Sequence, residues 1–255
     1  MKNIAIIIPL HKLTDETFEY LDRAINSVAI NQENYNYALA PFIICNKKHE
    51  KCIREHYKGT PAENIQFIIN DTENTDFCSQ INYAVDKLNA DEYQYFSILE
   101  FDDVYTNKWF KSVKEYYYTH EDVSIFLPIN VEVNDEDGFY QYVNEMAWAN
   151  QFSKEIGFID RDCIEEFYSF NLTGGVFNTD DFKKIGGFRT DEIVAFNYDL
   201  LIRLLNKGLK VYVVPKEGYC HLINREDSLS KLYKEKYTPS EMLKIFANVK
   251  KFNEE

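Results

Sequence analysis

The chain has 255 residues, with 42 Asp and Glu against 28 Lys and Arg, for a formal net charge of −14. That charge disfavours nucleic-acid phosphates and anionic membrane surfaces as partners. A hydrophobic share of 45%, with 16% aromatics, excludes a disordered composition and supplies a sizeable core.

No apolar run reaches the length of a membrane span. One lysine followed by Ile4–Leu10 is too short for a secretory leader and predicts a first strand instead. The five cysteines (Cys45, Cys52, Cys78, Cys163, Cys220) are odd in number and lack paired spacing. A disulfide framework or zinc site is not expected, and a cytoplasmic location is.

Short apolar runs recur at Ile4–Leu10, Pro41–Cys45, Ile65–Ile69, Tyr95–Leu99 and Val123–Ile129. Each is rich in Ile, Val and Phe and nearly continuous, as in strands buried on both faces of a parallel sheet. Helical spacing lies between them, in Phe18, Leu21, Ile25 and Val28, and again in Ile81, Ala84, Val85 and Leu88, with Ser79 as the expected N-cap. Alternation of strand and helix predicts an α/β fold with right-handed crossovers.

The fourth run ends in Glu100-Phe101-Asp102-Asp103. In extended chain alternate side chains share a face, so Glu100 and Asp102 are expected to point the same way. A hard divalent cation relieves such repulsion and keeps positions open for a diphosphate. The competing reading is a solvated turn, or Asp102-Asp103 capping a helix that starts near Thr106.

Beyond Asn130 the pattern loosens. Asn134 to Gly138 reads as an exposed loop, and the stretch to Phe170 carries Tyr140, Tyr142, Trp148 and Phe152 without a clean period. It fits an antiparallel excursion plus helices. Thr179-Asp180-Asp181 opens a short helix that ends at Gly186-Gly187; Asn197–Lys207 forms another, closed by Gly208. Lys210–Pro215 is a further strand. Thr238-Pro239-Ser240-Glu241 is a capping box that begins a last amphipathic helix. With no repeat or linker, one unit is expected.

Several motifs in this order resemble the family-2 nucleotide-sugar glycosyltransferases of GT-A fold. Ile4 to Pro9 resembles the opening strand, Ser27 and Gln32 the first helix, and Asn74 through Asn82 the loop and helix that follow. Glu100-Phe101-Asp102-Asp103 resembles the DxD-type motif. Thr173-Gly174-Gly175 with Ile185-Gly186-Gly187-Phe188 resembles the acceptor-side signature. Phe196 to Leu204 resembles the helix Glu-Asp-x-Asp-Leu-x-x-Arg-Leu, and His221 a further metal or diphosphate contact.

The resemblance implies a Rossmann-like, mostly parallel central sheet with a small acceptor-side subregion. Residues 1–129 would form the nucleotide-binding half, 130–235 the acceptor-binding half and 236–255 a C-terminal helix. It implies a nucleoside-diphosphate sugar donor, a hydroxyl acceptor such as a glycan, and Mn2+ or Mg2+. Asp102 is the first expected metal ligand, with Asp103 and His221 beside it. Pro9, Asn46, Asp71, Asn82, Glu100, Asp102, Gly174, Gly175 and Arg225 are expected around the donor, with Asn224–Ser230 as a lid.

Three departures stand out. Cys45-Asn46-Lys47 lacks the aspartate that usually contacts the base. Asp76 and Ile81 replace a loop glycine and an arginine. Phe196-Asn197 replaces the Glu-Asp that carries the catalytic base, and a carboxamide accepts no proton at neutral pH. Asp191, or next to it Glu192, is expected to supply the base, with Asn197 facing the acceptor or sugar. A retaining reaction, which needs no such base, is the alternative within the same class. Asp199 and Arg203, four apart on a helix, are expected to form a structural ion pair. A second class is a degenerate domain that binds nucleotide, sugar or a protein without catalysis. A nucleotidyltransferase is disfavoured because no glycine-rich phosphate loop with a lysine follows the first strand.

Overall fold

Every residue from Ile4 to Pro9 is buried, and together they form the central strand β1 (Ile4–Pro9). Burial without alternation marks a strand sandwiched between two helix layers. β1 pairs in parallel with β2 (Leu39–Cys45) on one side and with β4 (Tyr95–Ile98) on the other, and β3 (Gln66–Ile69) lies in parallel beyond β2. Helices α1 (Asp15–Gln32), α2 (Lys47–Tyr57) and α3 (Phe77–Lys87) connect these strands. The computed structural model describes residues 3–134, 138–191, 194–223 and 229–254. Arg225, Glu192 and most of the expected lid therefore lie outside the described residues.

The second half begins with β5 (Val104–Tyr105) and α4 (Trp109–Tyr117), then β6 (Val123–Val133), β7 (Tyr140–Val143), a 3-10 turn at Glu145–Trp148 and β8 (Phe158–Ile159). It continues with α5 (Arg161–Glu166), β9 (Val176–Asn178), α6 (Thr179–Lys184), α7 (Phe196–Asn206), β10 (Lys210–Leu222), α8 (Leu229–Lys236) and α9 (Pro239–Glu254). Among the described residues the sheet runs β3-β2-β1-β4-β9-β6-β10-β5, with β7 added to β6 and β8 to β10. β9 inserts antiparallel between β4 and β6, while β6 and β10 are parallel. The fold is α/β, with a mostly parallel central sheet flanked by helices.

Three local expectations change. The cap of α3 is Asp76, whose carboxylate accepts from Ser79 N–H at 2.9 Å; Ser79 itself lies inside the helix. Neither Asp102 nor Asp103 caps α4, which starts only at Trp109, after a left-handed Lys108 with no side-chain cap. β10 does not stop near Pro215. Its register against β6 shifts between Val213 and Glu217 and again before Tyr219, and the strand resumes to Leu222. That irregularity carries a single strand from the core to the site.

Other expectations hold. β6 returns as β7, the antiparallel excursion. Trp148 Nε1 donates to the Val213 carbonyl at 2.9 Å, which makes it a packing residue, whereas Tyr140 and Tyr142 are exposed. The capping box at α9 is formed: Thr238 N–H donates to Glu241 Oε2 at 2.8 Å, and Glu241 N–H to Thr238 Oγ1 at 3.3 Å.

Candidate active site

β4 ends at Ile98, and the chain then turns. Asp103 N–H donates to the Glu100 carbonyl at 3.1 Å, which closes a four-residue turn. The extended alternation that would pair Glu100 with Asp102 therefore does not occur, because residues one and four of a turn meet. Glu100 and Asp103 gather with His221 of β10, with one ligand atom from each lying within 4.8 Å of the others.

Asp103 is 1% exposed, and both its oxygens are engaged: Oδ1 accepts from Leu222 N–H at 2.9 Å and Oδ2 from His221 Nδ1 at 2.8 Å. A carboxylate in that position orients an imidazole and leaves Nε2 as the nitrogen that can meet a cation. Burial alone pushes the His221 pKa down. The Asp103 carboxylate overrides it, and with help from Glu100 and Glu132 the pKa rises to about 10. Any cation bound at Nε2 must displace that proton.

The turn is braced from three sides. Tyr219 Oη accepts from the Glu100 N–H at 2.9 Å. Ser27 Oγ accepts from Tyr105 N–H at 3.1 Å and Asn31 Nδ2 donates to the Thr106 carbonyl at 3.0 Å, so α1 holds β5 in place. Trp109 Nε1 donates to the Gly174 carbonyl at 2.9 Å, and Gly174 N–H to Ile98 at 2.9 Å. A Cβ at Gly174 (φ 76°) would lie 2.5 Å from the Tyr219 ring. Glycine at this position thus lets the loop close onto Tyr219, a packing reason distinct from approach to a donor sugar. Gly175 is equally tight, 2.8 Å from Leu127.

The other expected residues fall into separate groups. On the first-half side, Pro9 ends β1, Asn46 caps α2 through its Oδ1 to Lys48 N–H at 3.1 Å, and Asp71 Oδ1 accepts from Lys47 N–H at 2.9 Å. Asn82 spends its amide on one residue: Nδ2 donates to the Phe188 carbonyl at 2.7 Å and Oδ1 accepts from Phe188 N–H at 2.9 Å. This fastens the Gly-Gly-Phe turn to α3.

On the α7 side, Asn197 sits in the first turn, with Oδ1 buried and without a hydrogen-bond partner among the described residues. Asp191 is exposed and gripped by Arg189 at 2.7 and 3.0 Å; the Arg189 hydrogen bonds lower its pKa. Asp199 is fully buried, pairs with Arg203 at 2.7 Å and Arg189 at 3.4 Å, and accepts from Asn253 Nδ2 at 3.1 Å, a structural network as expected.

Two features escaped sequence reading. One is Tyr219, which lies past the point where β10 looked finished. The other is a row across the sheet: His221 registers with Glu132 on β6, and Glu132 with Gln141 on β7. Gln141 Nε2 donates to Glu132 Oε2 at 2.5 Å. Period-two alternation through Asn130 and Glu132 was the available signal, hidden because the apolar run appeared to end at Ile129.

No protein-family model and no curated protein sequence matches the chain. Solved structures do match in fold. S. aureus TarS (residues 1–349), determined with UDP-GlcNAc, superposes with a TM-score of 0.66 at 16% identity, covering 98% of this chain and 65% of that one. GalNAc-T7 with UDP, GalNAc and Mn2+ gives 0.60 at 14%, covering 88% and 44%. The mannosyltransferase PcManGT from Pyrobaculum calidifontis, with GDP-Man and Mn2+, gives 0.60 at 11%, covering 98% and 69%. These neighbours are GT-A glycosyltransferases, and the fold is theirs. The chain spans less than two thirds of the TarS and GalNAc-T7 chains.

Proposed function

We propose that this protein is a metal-dependent glycosyltransferase that moves a sugar from a nucleoside-diphosphate sugar to a hydroxyl acceptor, a glycan or glycoconjugate. The observation that carries the reading is the Glu100–Asp103–His221 cluster, set in the turn after β4 on a GT-A fold. The donor set fits Mn2+ or Mg2+: carboxylate oxygens with one imidazole, and an ordered carboxylate behind that imidazole. In this reading His221 Nε2 and Glu100 face the ion, and Asp102, which lies in the same turn but outside the cluster, joins them as the ion binds. Asp103, its oxygens already occupied, holds His221 in place. When bound, the ion neutralises charge on the departing diphosphate.

The chain's own residues supply the rest. The turn fixes the carboxylates, Tyr219 sets the height of Glu100, and the Gly174 loop packs against Tyr219 and holds it there. Holding both substrates in line lowers the barrier without further chemistry. UDP-GlcNAc and GDP-Man bound to fold neighbours support a nucleotide-sugar donor. The test is a nucleotide-sugar panel with Mn2+, read by donor hydrolysis and thermal stabilisation, with a crystal soaked in Mn2+ and UDP or GDP. Ion and diphosphate bound away from Glu100 and His221 would falsify the assignment.

Asn197 favours a second reading, a domain that binds without transferring. A carboxamide stands where the family's base is expected, and Asp191 is neutralised by Arg189. The two readings separate on Asn197→Asp. Transfer that arises only in the variant establishes an inactive wild type; transfer by the wild type rejects this second reading.

A further inference from the structure

We propose that Glu132, held by Gln141, is the carboxylate that receives the acceptor's hydroxyl proton. This rests on the glycosyltransferase reading above and names the residue that completes it.

Side chains in register on adjacent strands point to one face of a sheet. His221 and Glu132 are in register across β10 and β6, and Glu132 and Gln141 across β6 and β7. His221 turns its ring to Asp103 at 2.8 Å, so Glu132 projects from the same face as the candidate metal cluster. Adjacent strands lie about 4.8 Å apart, so Glu132 stands beside His221 on that face. Glu132 is half-buried and Gln141 exposed, so the row passes from the cluster toward solvent and an incoming hydroxyl can reach it.

The carboxylate is also available. Among the described residues Glu132 forms no ion pair with Lys or Arg, whereas Asp191 is gripped by Arg189 and Asp199 by two arginines. Gln141 donates to Oε2, which fixes the carboxylate's rotation and leaves Oε1 to accept from a hydroxyl. In the step, the acceptor oxygen forms its bond to the anomeric carbon while the bond from that carbon to the diphosphate oxygen breaks. The electron pair of the broken bond leaves with the nucleoside diphosphate, and the hydroxyl proton passes to Glu132 Oε1. The product anomer is inverted.

The test uses the full chain with Mn2+, UDP-GlcNAc or GDP-Man as donor, and water or a p-nitrophenyl glycoside as acceptor. Glu132→Gln is expected to lower turnover by about 10²–10⁴-fold, a loss well beyond any accompanying change in the affinity for Mn2+ and UDP. Formate is expected to restore turnover to Glu132→Ala, and the sugar product to be inverted by NMR. Gln141→Ala, which keeps the carboxylate, is expected to lose about tenfold. Wild-type turnover in a folded Glu132→Gln, or a retained anomer, overturns the proposal. So does a wild type that binds Mn2+ and UDP yet turns over no donor, although the metal–nucleotide reading then survives. A wild type that binds neither overturns that reading itself.

Discussion

Tyr219 Oη accepts a hydrogen bond from the backbone N–H of Glu100 at 2.9 Å, so the strand that carries His221 also sets where the acidic turn begins. Tyr219→Phe removes the acceptor and leaves the Glu100 N–H unpaired. A buried unpaired donor costs about 1–3 kcal/mol. Thermal unfolding is expected to show that loss, together with weaker Mn2+ binding. An unchanged Tm and unchanged Mn2+ affinity would reject the coupling.

Mn2+ binding should release a proton. The His221 pKa of about 10 keeps the ring charged at neutral pH, and a cation at Nε2 must displace that charge. Affinity is therefore expected to rise with pH, by about tenfold per unit between pH 7 and 9. Calorimetry in buffers of different ionisation enthalpy counts the proton. His221→Gln should release none. In the metal-free protein the sign is the reverse. The folded pKa lies above the unfolded value of about 6.5, so the pair's stabilisation is complete below that value and is lost as pH rises through about 10.

Asp102 and Asp103 should separate in their effects. Asp103→Asn weakens the hydrogen bond that orients His221 and disturbs a side chain that is 1% exposed, so both stability and Mn2+ affinity are expected to fall. Asp102→Asn is expected to cost Mn2+ affinity by about 10–100-fold with little change in Tm. Mn2+ electron paramagnetic resonance titrations beside thermal melts distinguish the two.

Two glycines with similar backbone angles offer an internal control. Gly186 (φ 83°) has open space where a Cβ would stand, while at Gly174 (φ 76°) the Cβ meets Tyr219. Gly186→Ala is expected to cost about 1–2 kcal/mol from backbone strain alone. Gly174→Ala adds a clash of about 1–3 kcal/mol and displaces Tyr219 from Glu100. Equal losses in denaturant unfolding would show that the loop yields.

Asn82→Ala removes both hydrogen bonds to Phe188 and frees the Gly-Gly-Phe turn from α3. The expected loss is about 2 kcal/mol, with the KM for donor changed less than that for acceptor. A donor-specific KM defect would instead place Asn82 against the nucleotide.

The strands were legible because burial on both faces leaves an uninterrupted apolar run, and β1 through β4 follow those runs to within about two residues. The order of motifs made the GT-A fold readable before any contact was known. What stayed hidden was tertiary. Whether Glu100 pairs with Asp102 or Asp103 depends on a backbone hydrogen bond that closes a turn, and acidic residues alone do not announce it. The division between Asp102 and Asp103 depends on Leu222, more than a hundred residues away in sequence. Lys210–Pro215 reads as a complete strand because proline resembles a strand's end, whereas here it accompanies a register shift that carries Tyr219 and His221 to the site. The cap of α3 shows the same limit on a smaller scale: Asp76 and Ser79 are both good caps, and the local backbone chose between them.

The buried Asp199 links distant stretches of chain. It lies one turn from the start of α7, on the helix that bears Asn197, and is clamped by Arg189 beyond the Gly-Gly-Phe turn and by Asn253 in the last turn of α9. Asn206, near the other end of α7, also donates to the Asn253 carbonyl at 2.8 Å. The helix is thus moored at both ends to the same asparagine. A ligand that tilts α7 as it seats against Asn197 must pull on α9, and a fluorophore on the outer surface of α9 would register occupancy from the far side of the molecule.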